Sequence, residues 1–278
     1  MIKGIDISAY QGKVDFAKIK RSGIEFVMIR AGWGRSNEDT LFAYNIKNAL
    51  KNGLKVGVYW FIYAKDKNHI DGNISMCEAV IRSYKDQILL GVFADWEYDS
   101  DNYRPNLSNH ERSLFVKQFI EGLSKRGYQV GLYANPDYIN NKFDMSLLKQ
   151  YKLWLAYYNT TEENAKMFSP VMWQYSSKGK VDGITGNVDL DYLFDEVKDP
   201  VDPIPVKEIP KMIVNTKKDN LNIRKGPGQK YQILSSFKKG TIVEVLDKSN
   251  SVWYYVSGKD YSGKLITGYV SKTYLKEI

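Results

Sequence analysis

The chain has 278 residues, 43% of them hydrophobic and 14% aromatic, which is enough to bury the core of one large domain and a small second one. This composition excludes disordered and fibrous proteins, and the lone Cys77 excludes an intrachain disulfide and a thiolate-rich metal site. The net charge of +8 is uneven, because residues 1–195 contribute +2 (25 basic, 23 acidic) and residues 196–278 contribute +6 (15 basic, 9 acidic).

Histidine is almost as scarce as cysteine. His69 and His110 are the only two, so a histidine zinc site or a Ser-His-Asp triad is hard to assemble. Cys77 lies in a helical pattern, ISMCEAVIRSY, where a buried small side chain is a commoner interpretation than a thiol nucleophile paired with either histidine. We therefore expect no metal and no cofactor, and carboxylates are the remaining candidates for acid–base chemistry.

Strand-like and helical patterns alternate from Met1 to about Asp195. Helices are predicted over 39–51, 70–84 and 109–126, the last with Ser108 as N-cap and Gly127 as C-cap. The predicted strands are, in chain order, KGIDIS, EFVMIRAG, KVGVYWFIY, LLGVFADWE, YQVGLYAN, LWLAYY, VMWQYSS and NVDLDYL. Repeated strand–helix units favour a parallel sheet, and eight strands favour a closed α/β barrel over an open doubly wound sheet.

The stretch GVFADWEYDSD places carboxylates at every second position after an apolar strand. Alternate strand residues share a face, so Asp95 and Glu97 should point the same way, with Cα atoms about 7 Å apart, and Trp96 the other way. Asp6 and Asp189 also stand at predicted strand ends, and the C-terminal ends of barrel strands meet at one mouth. Four carboxyls at one mouth suit a glycosidase, which needs an acid and a second carboxylate or a substrate group.

Asp99 and Asp101 follow in YDSDNYRPN, which is predicted to be a solvated loop. The glycine and the distant glutamate of the helix–loop–helix calcium pattern are missing, which argues against a metal there.

Aromatic residues cluster at the same strand ends. Flat side chains beside carboxylates suit the apolar faces of pyranose rings, although core packing explains about half of the aromatic residues in strands. The candidate substrate contacts are Tyr59, Tyr133, Trp154, Gln174 and Tyr175.

The pattern changes after residue 195. Residues 196–211 hold four of the eight prolines and predict a semi-rigid linker. Residues 212–278 contain short strands between turns, which predict a small antiparallel barrel. Its positive charge favours anionic partners, such as nucleic acid or a cell-wall polymer bearing phosphates, and no nucleic-acid motif is present. A basic surface that only keeps the protein soluble is the alternative.

Eight stretches of residues 1–195 occur in an order and spacing that resemble glycoside hydrolase family 25. They are GIDISAYQG, FVMIRAGWG, GVYWF, FADWE, GLYAN, LWLAYY, MWQYS and NVDLDYL. The resemblance implies an irregular barrel of the TIM type, with five strand–helix units followed by three strands. It also implies muramidase activity on the β-1,4 bond between N-acetylmuramic acid and N-acetylglucosamine.

Carried over by position, the resemblance gives Glu97 the role of general acid and Asp95 that of electrostatic partner. Asp6 and Asp189 become supporting carboxylates, and the substrate becomes the glycan strands of peptidoglycan.

The C-terminal stretches LNIRKGPGQKYQIL, FKKGTIVEVL, VWYYV and TGYVSKTYL resemble the bacterial type of Src-homology-3 domain. That likeness implies attachment to the cell wall, through a wall peptide or an anionic wall polymer. The candidate wall contacts are Arg224, Trp253, Tyr255 and Tyr269, with Gly226 and Gly228 allowing a tight turn after Arg224.

Together these features predict a modular peptidoglycan hydrolase, a phage endolysin acting on Gram-positive walls. No apolar run reaches the roughly 20 residues of a membrane span, and the N-terminus lacks a signal-peptide layout. We therefore expect synthesis in the host cytoplasm, action on the wall after release, and no membrane insertion. An exported autolysin, a non-catalytic wall-binding protein, and an amidase or peptidase remain the alternatives.

Overall fold

The computed structural model describes residues 1–194, 210–248 and 250–278, which form two compact units, one built mainly from the first range and one mainly from the other two. The predicted linker, 196–211, lies outside the described residues except for its last two positions. Of these, Lys211 already opens the first strand of the second unit. Within the described ranges, no helix is long and apolar enough to cross a membrane.

The first unit alternates strands and helices along residues 1–194. Its strands and α-helices are β1 (Ile2–Ile7), α1 (Phe16–Arg21), β2 (Phe26–Trp33), β3 (Asn37–Glu38), α2 (Phe42–Lys51), β4 (Lys55–Phe61), α3 (Lys67–Ile81), β5 (Val92–Asp95), α4 (Tyr98–Tyr103), α5 (Asn109–Ser124), β6 (Val130–Ala134), β7 (Lys152–Ala156), α6 (Glu162–Lys166), β8 (Met172–Gly179) and β9 (Val188–Leu193). Short 3₁₀ turns cover Ala9–Gln11 and Arg82–Gln87, and a single π-helical turn covers Tyr138–Lys142.

Eight of the nine strands close into a barrel, in the order β1-β9-β8-β7-β6-β5-β4-β2, with β2 pairing back onto β1. The short β3 adds a hairpin to β2. The helices become short after β6, and the predicted irregular barrel of five strand–helix units followed by three strands is confirmed.

The last strand departs from the predicted parallel sheet, since β9 is antiparallel to both β8 and β1. The cause is the connection between β8 and β9, which spans only residues 180–187 and has no helix. A parallel crossover needs a dozen or more residues, whereas an antiparallel return needs only a short loop. The reversal brings the beginning of β9 to the mouth formed by the ends of the other strands.

Local signals set the helix boundaries. Ser108 caps α5, because its Oγ accepts a hydrogen bond from the Glu111 amide and the Glu111 carboxylate accepts one from the Ser108 amide. Helix α5 ends at Ser124, and Gly127 follows with a φ of +81°, which glycine adopts without strain. Helix α2 begins at Phe42 and not at Asp39, because the Asp39 side chain is buried in other contacts.

The predicted solvated loop after Glu97 is wrong in part, since Tyr98–Tyr103 form helix α4. Asp101 is not solvated. Its carboxylate accepts hydrogen bonds from Trp96 Nε1 (2.9 Å), Arg112 Nε (2.7 Å) and the Tyr138 hydroxyl (2.8 Å). Asp101 therefore ties the segment after β5 to α5 and to the π-helical turn.

The second unit is all β. Its strands are β10 (Lys211–Val214), β11 (Leu221–Arg224), β12 (Ile233–Phe237), β13 (Ile242–Asp247), β14 (Trp253–Lys259), β15 (Leu265–Ser271) and β16 (Leu275–Glu277), in the sheet order β12-β11-β15-β14-β13-β10-β16. All described pairings in this sheet are antiparallel. The unit has its own core, which includes Val214, Ile223, Phe237, Val256 and Val270, and the predicted small all-β module is confirmed.

The Asp101 contacts generate a stability prediction. Asp101→Ala leaves the buried Arg112 guanidinium without its carboxylate, and we expect a loss of about 3 kcal/mol in the free energy of unfolding. Asp99→Ala, two residues earlier on the exposed side of α4, should change it by less than about 0.5 kcal/mol. Urea unfolding of the full chain, followed by tryptophan fluorescence, measures both. Equal stability of the two variants would contradict the structural role of Asp101.

Candidate active site

The segment after β5 divides its side chains between two sides, as strand alternation predicts. Phe93 belongs to the interior barrel core and Asp95 is also buried. Trp96 points away, donates to Asp101 and is fully buried among the helices. Glu97 has extended backbone angles (φ −129°, ψ −171°), so the alternation continues past the strand end. The structure therefore brings Asp95 and Glu97 to the same mouth.

Asp6 and Asp189 reach this mouth from neighbouring strands. They are direct partners in the antiparallel register of β1 and β9. Asp6 stands near the end of β1, as predicted, whereas Asp189 is the second residue of β9 and not the last. The expected position at a strand's C-terminal end is wrong for Asp189, which reaches the mouth because β9 runs in the opposite direction.

The four carboxyls perturb one another. Burial raises the pKa of Asp6, and the charges of Asp191, Asp189 and Asp95 raise it further. Burial and the charge of Glu97 raise the pKa of Asp95. Burial raises the pKa of Glu97, with Asp99 and Asp189 adding to the effect, and burial raises that of Asp189 to about 6. Carboxyls in such a site keep protons at a pH where exposed carboxyls have lost them.

A chain of hydrogen bonds supports the cluster. Gln174 Nε2 donates to Asp6 Oδ2 at 2.6 Å. The Gln174 Oε1 atom accepts from the hydroxyls of Tyr133 (2.9 Å) and Tyr158 (2.5 Å), which fixes the amide orientation. Tyr158 was missed in the sequence, because it lies beyond the end of β7 and only its closeness to Gln174 in the fold reveals it.

Asp191 is a second residue that sequence reasoning missed. It lies two positions after Asp189 on β9, is fully buried, and accepts a hydrogen bond from Trp154 Nε1 at 2.8 Å. The signal was present in NVDLDYL, since alternate residues of a strand share a face.

The predicted aromatic contacts divide into two groups. Tyr59 faces the acidic cluster, since the charges of Asp6 and Asp95 raise its pKa after burial. Trp154 is 1% exposed, packed edge-on against Tyr59 and Tyr133, so its proposed contact with substrate is wrong and it acts as a core residue holding Asp191.

The predicted substrate contact of Tyr175 is also wrong, because its ring packs in an aromatic cluster away from the mouth. Its ring stacks on Tyr192 at 4.5 Å between centroids and packs against Trp173. Tyr192 lies on the opposite face of β9 from Asp191, which puts this aromatic cluster outside the barrel. A bulge in the β8–β9 pairing between Gln174 and Ser176 accompanies this placement.

Arg30 supplies positive charge close to the carboxyls. Its guanidinium lowers the pKa of Asp95 against the stronger effect of burial. Asp39 holds Arg30 in place through a 2.9 Å ion pair between Nε and Oδ2, and Asp39 also accepts from the amides of Ala9 and Leu41.

Other chemistries find no support in the described residues. Cys77 is fully buried, and burial raises the pKa of its thiol, so a thiolate nucleophile is disfavoured. His110 lies on the surface beside Asp144, and His69, which is largely buried, lies beside Asp66. No group of three or more His, Cys, Asp or Glu side chains suited to a metal ion occurs in the described ranges.

In the second unit, the predicted wall contacts share one side of the sheet. Tyr254 and Val256 fill the core, so Trp253 and Tyr255 lie on the opposite face of β14. Tyr255 pairs with Tyr269 across β14 and β15, with ring centroids 4.9 Å apart.

Arg224 is the register partner of Tyr269, but its guanidinium is engaged by the chain itself. One terminal nitrogen donates to the carbonyls of Gln229 (2.8 Å) and Tyr231 (2.9 Å), which closes the turn after β11. Gly226 is needed because a Cβ there would lie 2.5 Å from the Tyr231 ring, and not because the turn requires a positive φ.

The fold and the site define a barrel hydrolase with a carboxyl-based centre, followed by a small β module. Comparison with known proteins gives the family: residues 5–184 match the model for glycosyl hydrolases family 25, and residues 219–276 match that for the bacterial SH3 domain. The chain belongs to glycosyl hydrolases family 25.

Similar proteins include an autolytic lysozyme of Clostridium acetobutylicum, 31% identical over 198 residues. That match covers 68% of this chain but only 55% of the relative. A family 25 glycosyl hydrolase of Bacillus anthracis is 25% identical, with a TM-score of 0.60 over 70% of this chain and 90% of that one. The catalytic domain of an endolysin from a bacteriophage of Listeria monocytogenes is 24% identical, with a TM-score of 0.57 over 69% and 93%.

The raised pKa of Asp189 predicts how stability depends on pH. The native state holds a proton on Asp189 up to about pH 6, whereas the unfolded chain releases it near pH 4. The native state therefore binds more protons in this window, and stability falls as pH rises through it. Asp189→Asn has no proton to release at this position, so it does not lose stability in this way. The melting temperature of the variant minus that of the unaltered protein should therefore rise between pH 4 and pH 6.

Differential scanning calorimetry at pH 4, 5, 6 and 7 checks this expectation, with the exposed Asp182→Asn as the matched control. A difference in melting temperature that stays constant with pH would show that folding does not raise the pKa of Asp189.

Proposed function

We propose that this chain is a lysozyme of the N-acetylmuramidase type. It hydrolyses the β-1,4 bond between N-acetylmuramic acid and N-acetylglucosamine in the peptidoglycan of Gram-positive walls. The observation that carries the proposal is the placement of Glu97 beside Asp95 at the barrel mouth of a family 25 chain. The name of the Clostridium acetobutylicum relative, an autolytic lysozyme, supports the same activity.

The two carboxyls differ in their surroundings, which supports different roles. Asp95 has the Arg30 guanidinium to favour its ionised form, although burial raises its pKa strongly. Glu97 has only the like charges of Asp99 and Asp189 besides burial, and all of these favour its protonated form. Because Asp95 and Glu97 repel each other when both are ionised, the pair keeps one proton. We assign this proton to Glu97, because Glu97 is the more accessible of the two carboxyls and the resemblance to family 25 gives it the role of general acid.

In the proposed reaction, Glu97 donates its proton to the glycosidic oxygen as the bond to the anomeric carbon breaks. Asp95, ionised, stabilises the positive charge that develops at the sugar. Asp6 and Asp189 line the same mouth as supporting carboxylates, and Tyr59, Tyr133 and Gln174 line the site where the sugar binds. Water then attacks with Glu97, now ionised, as the base.

Glu97→Gln keeps the shape of the side chain but cannot donate the proton. We expect release of reducing ends from purified walls to fall by about 10²–10⁴-fold, with the melting temperature nearly unchanged. The exposed Glu163→Gln is the same chemical change on α6 and should retain activity within about threefold. Near-normal activity of Glu97→Gln would refute its role as general acid.

The products also separate the muramidase from its rivals. A muramidase creates new reducing ends at muramic acid, an amidase frees peptide from muramic acid, and a non-catalytic wall-binding protein releases nothing. Mass analysis of the digested wall therefore tests the reaction class independently of any variant.

We propose that cleavage retains the anomeric configuration. The 2-acetamido group of the substrate attacks the anomeric carbon while Asp95 orients it and stabilises its charge, and a covalent bond to Asp95 is the competing route. Proton NMR of the first product should show the β-anomer before mutarotation. An initial α-anomer would be incompatible with either route.

The second unit is proposed to hold the enzyme on the wall. Support comes from its match to the bacterial SH3 domain, its separate core and the +6 charge of residues 196–278. Attachment raises the local enzyme concentration at an insoluble surface without changing the chemical step. Wall peptide or anionic wall polymer is the proposed ligand, bound on the face that carries Trp253, Tyr255 and Tyr269.

Truncation after Asp195 should therefore weaken lysis of whole cells much more than hydrolysis of small peptidoglycan fragments. The isolated residues 210–278 should sediment with purified walls, and less so at rising salt if wall phosphates contribute, since the Debye length is about 10 Å at 0.1 M. Failure to sediment at low salt with walls of every Gram-positive species tested would exclude the wall-binding role.

We propose that the enzyme serves as a phage endolysin, made in the host cytoplasm and acting on the wall after release. The fold shared with the endolysin of a Listeria bacteriophage supports this setting. An autolysin with the same activity is the alternative that the Clostridium relative supports. The genes that flank the gene for this protein distinguish the endolysin from the autolysin, because an endolysin gene lies among genes for virion proteins.

A further inference from the structure

Asp191 has an unusual position for a carboxylate. It is 0% exposed, and its Oδ1 atom accepts the Trp154 indole hydrogen bond. No donor in the described part of the chain reaches its Oδ2 atom. An ionised carboxylate with one oxygen unpaired in a dry site is costly, because neither water nor a donor replaces its solvation.

Asp191 pairs with Gly4 and Asp189 with Asp6 in the antiparallel register of β1 and β9, so Asp191 and Asp6 lie diagonally on one face of this strand pair. The side chain that acts on Asp191 from this position is itself a carboxyl group. Two carboxylates cannot form a hydrogen bond, since both only accept, and one proton between them is the simplest way to satisfy both. The other oxygen contacts of the pair come from donors, with Gln174 donating to Asp6 and Trp154 donating to Asp191.

We propose that Asp191 is a positioning residue, which holds a proton against Asp6 so that the pair carries a single negative charge and Asp6 keeps one fixed orientation at the mouth. This proposal rests on the proposed glycosidase function. Asp191 does not touch the substrate, because it lies deeper in the barrel than Asp189 and is fully buried.

Among the described residues, no cation acts on Asp6 or Asp191 to favour a second charge. The pKa of Asp191 is raised by burial first and by the charge of Asp189 next. The titratable groups that interact with Asp6 or Asp191 are Asp95 on β5, Asp189 on β9, and the phenols of Tyr59, Tyr133, Tyr158 and Tyr175. All of these are acids, and Arg30 acts on Asp95 and Tyr59.

Asparagine and leucine at position 191 separate positioning from packing. Asp191→Asn supplies a carbonyl oxygen to accept from Trp154 and an amide group to donate to Asp6, as the protonated acid does. Asp191→Leu has similar volume but supplies neither. We expect Asp191→Asn to retain activity on purified walls within about threefold, and Asp191→Leu to lose at least about 100-fold when both are folded.

The proton itself is tested by stability. The native protein holds it on the pair, whereas the unfolded chain releases it near pH 4, so stability falls as pH rises above that value. Asparagine has no proton to lose. The melting temperature of Asp191→Asn relative to the unaltered protein should therefore rise steadily from pH 4 to pH 7 in calorimetry of the full chain.

Infrared spectroscopy gives a second readout, because Asp191→Asn should remove one carboxylic-acid C=O band at pH 7. A pH-independent difference in melting temperature with that band retained would overturn the proposal, as would equal activity of the asparagine and leucine variants. The melting and infrared measurements need no activity. An inactive but proton-sharing protein would therefore refute the proposed function and not the pair.

Discussion

The antiparallel pairing of β9 is the constraint on which the arrangement of the site depends. Seven strands of the barrel run in one direction, and only β9 returns between β8 and β1. In that register Asp189 lies opposite Asp6, and Asp191 lies one side-chain layer deeper on the same face. A parallel β9 would place the first residues of the strand at the far end of the barrel, away from Asp95 and Glu97. The short return after β8 therefore assembles the acidic cluster.

The acidic side chains of that cluster are buried with too little positive charge around them to keep them all ionised, and this sets the chemistry of the cluster. Five acidic side chains, Asp6, Asp95, Glu97, Asp189 and Asp191, have raised pKa values, and burial is the first cause for each of them. Arg30 favours the ionised form of one of them and is itself paired with Asp39. The site must therefore keep protons, and a proton kept on an accessible carboxyl is what a general acid requires. A proton kept deeper in the barrel has a different use, which is to hold a neighbouring carboxyl in place.

The segment after β5 serves both chemistry and stability because its side chains alternate. Asp95 and Glu97 enter the mouth, while Trp96 between them turns into the helical layer and donates to Asp101. Asp101 also binds Arg112 and Tyr138, which anchors helix α4 and the position of Glu97 at its start. The proposed catalytic roles of Asp95 and Glu97 need fixed geometry, and here it comes from polar contacts on the opposite side of the same few residues.

The sequence by itself determined the strands, the barrel, the small β module and the four carboxyls, because strand alternation and strand-end position are local properties. The tertiary structure revealed that the last strand is antiparallel, and hence that Asp189 begins it, although the short connection over residues 180–187 already disfavoured a parallel crossover. Trp154 and Tyr175 are both plausible sugar contacts by their position in the sequence. Only the tertiary structure decided that Trp154 packs in the core and that Tyr175 packs outside the barrel. The carboxyl pair of Asp6 and Asp191 belongs to the same class of feature, since it joins residues at opposite ends of the unit. Such pairings depend on how β1 and β9 meet, and no local pattern encodes that register.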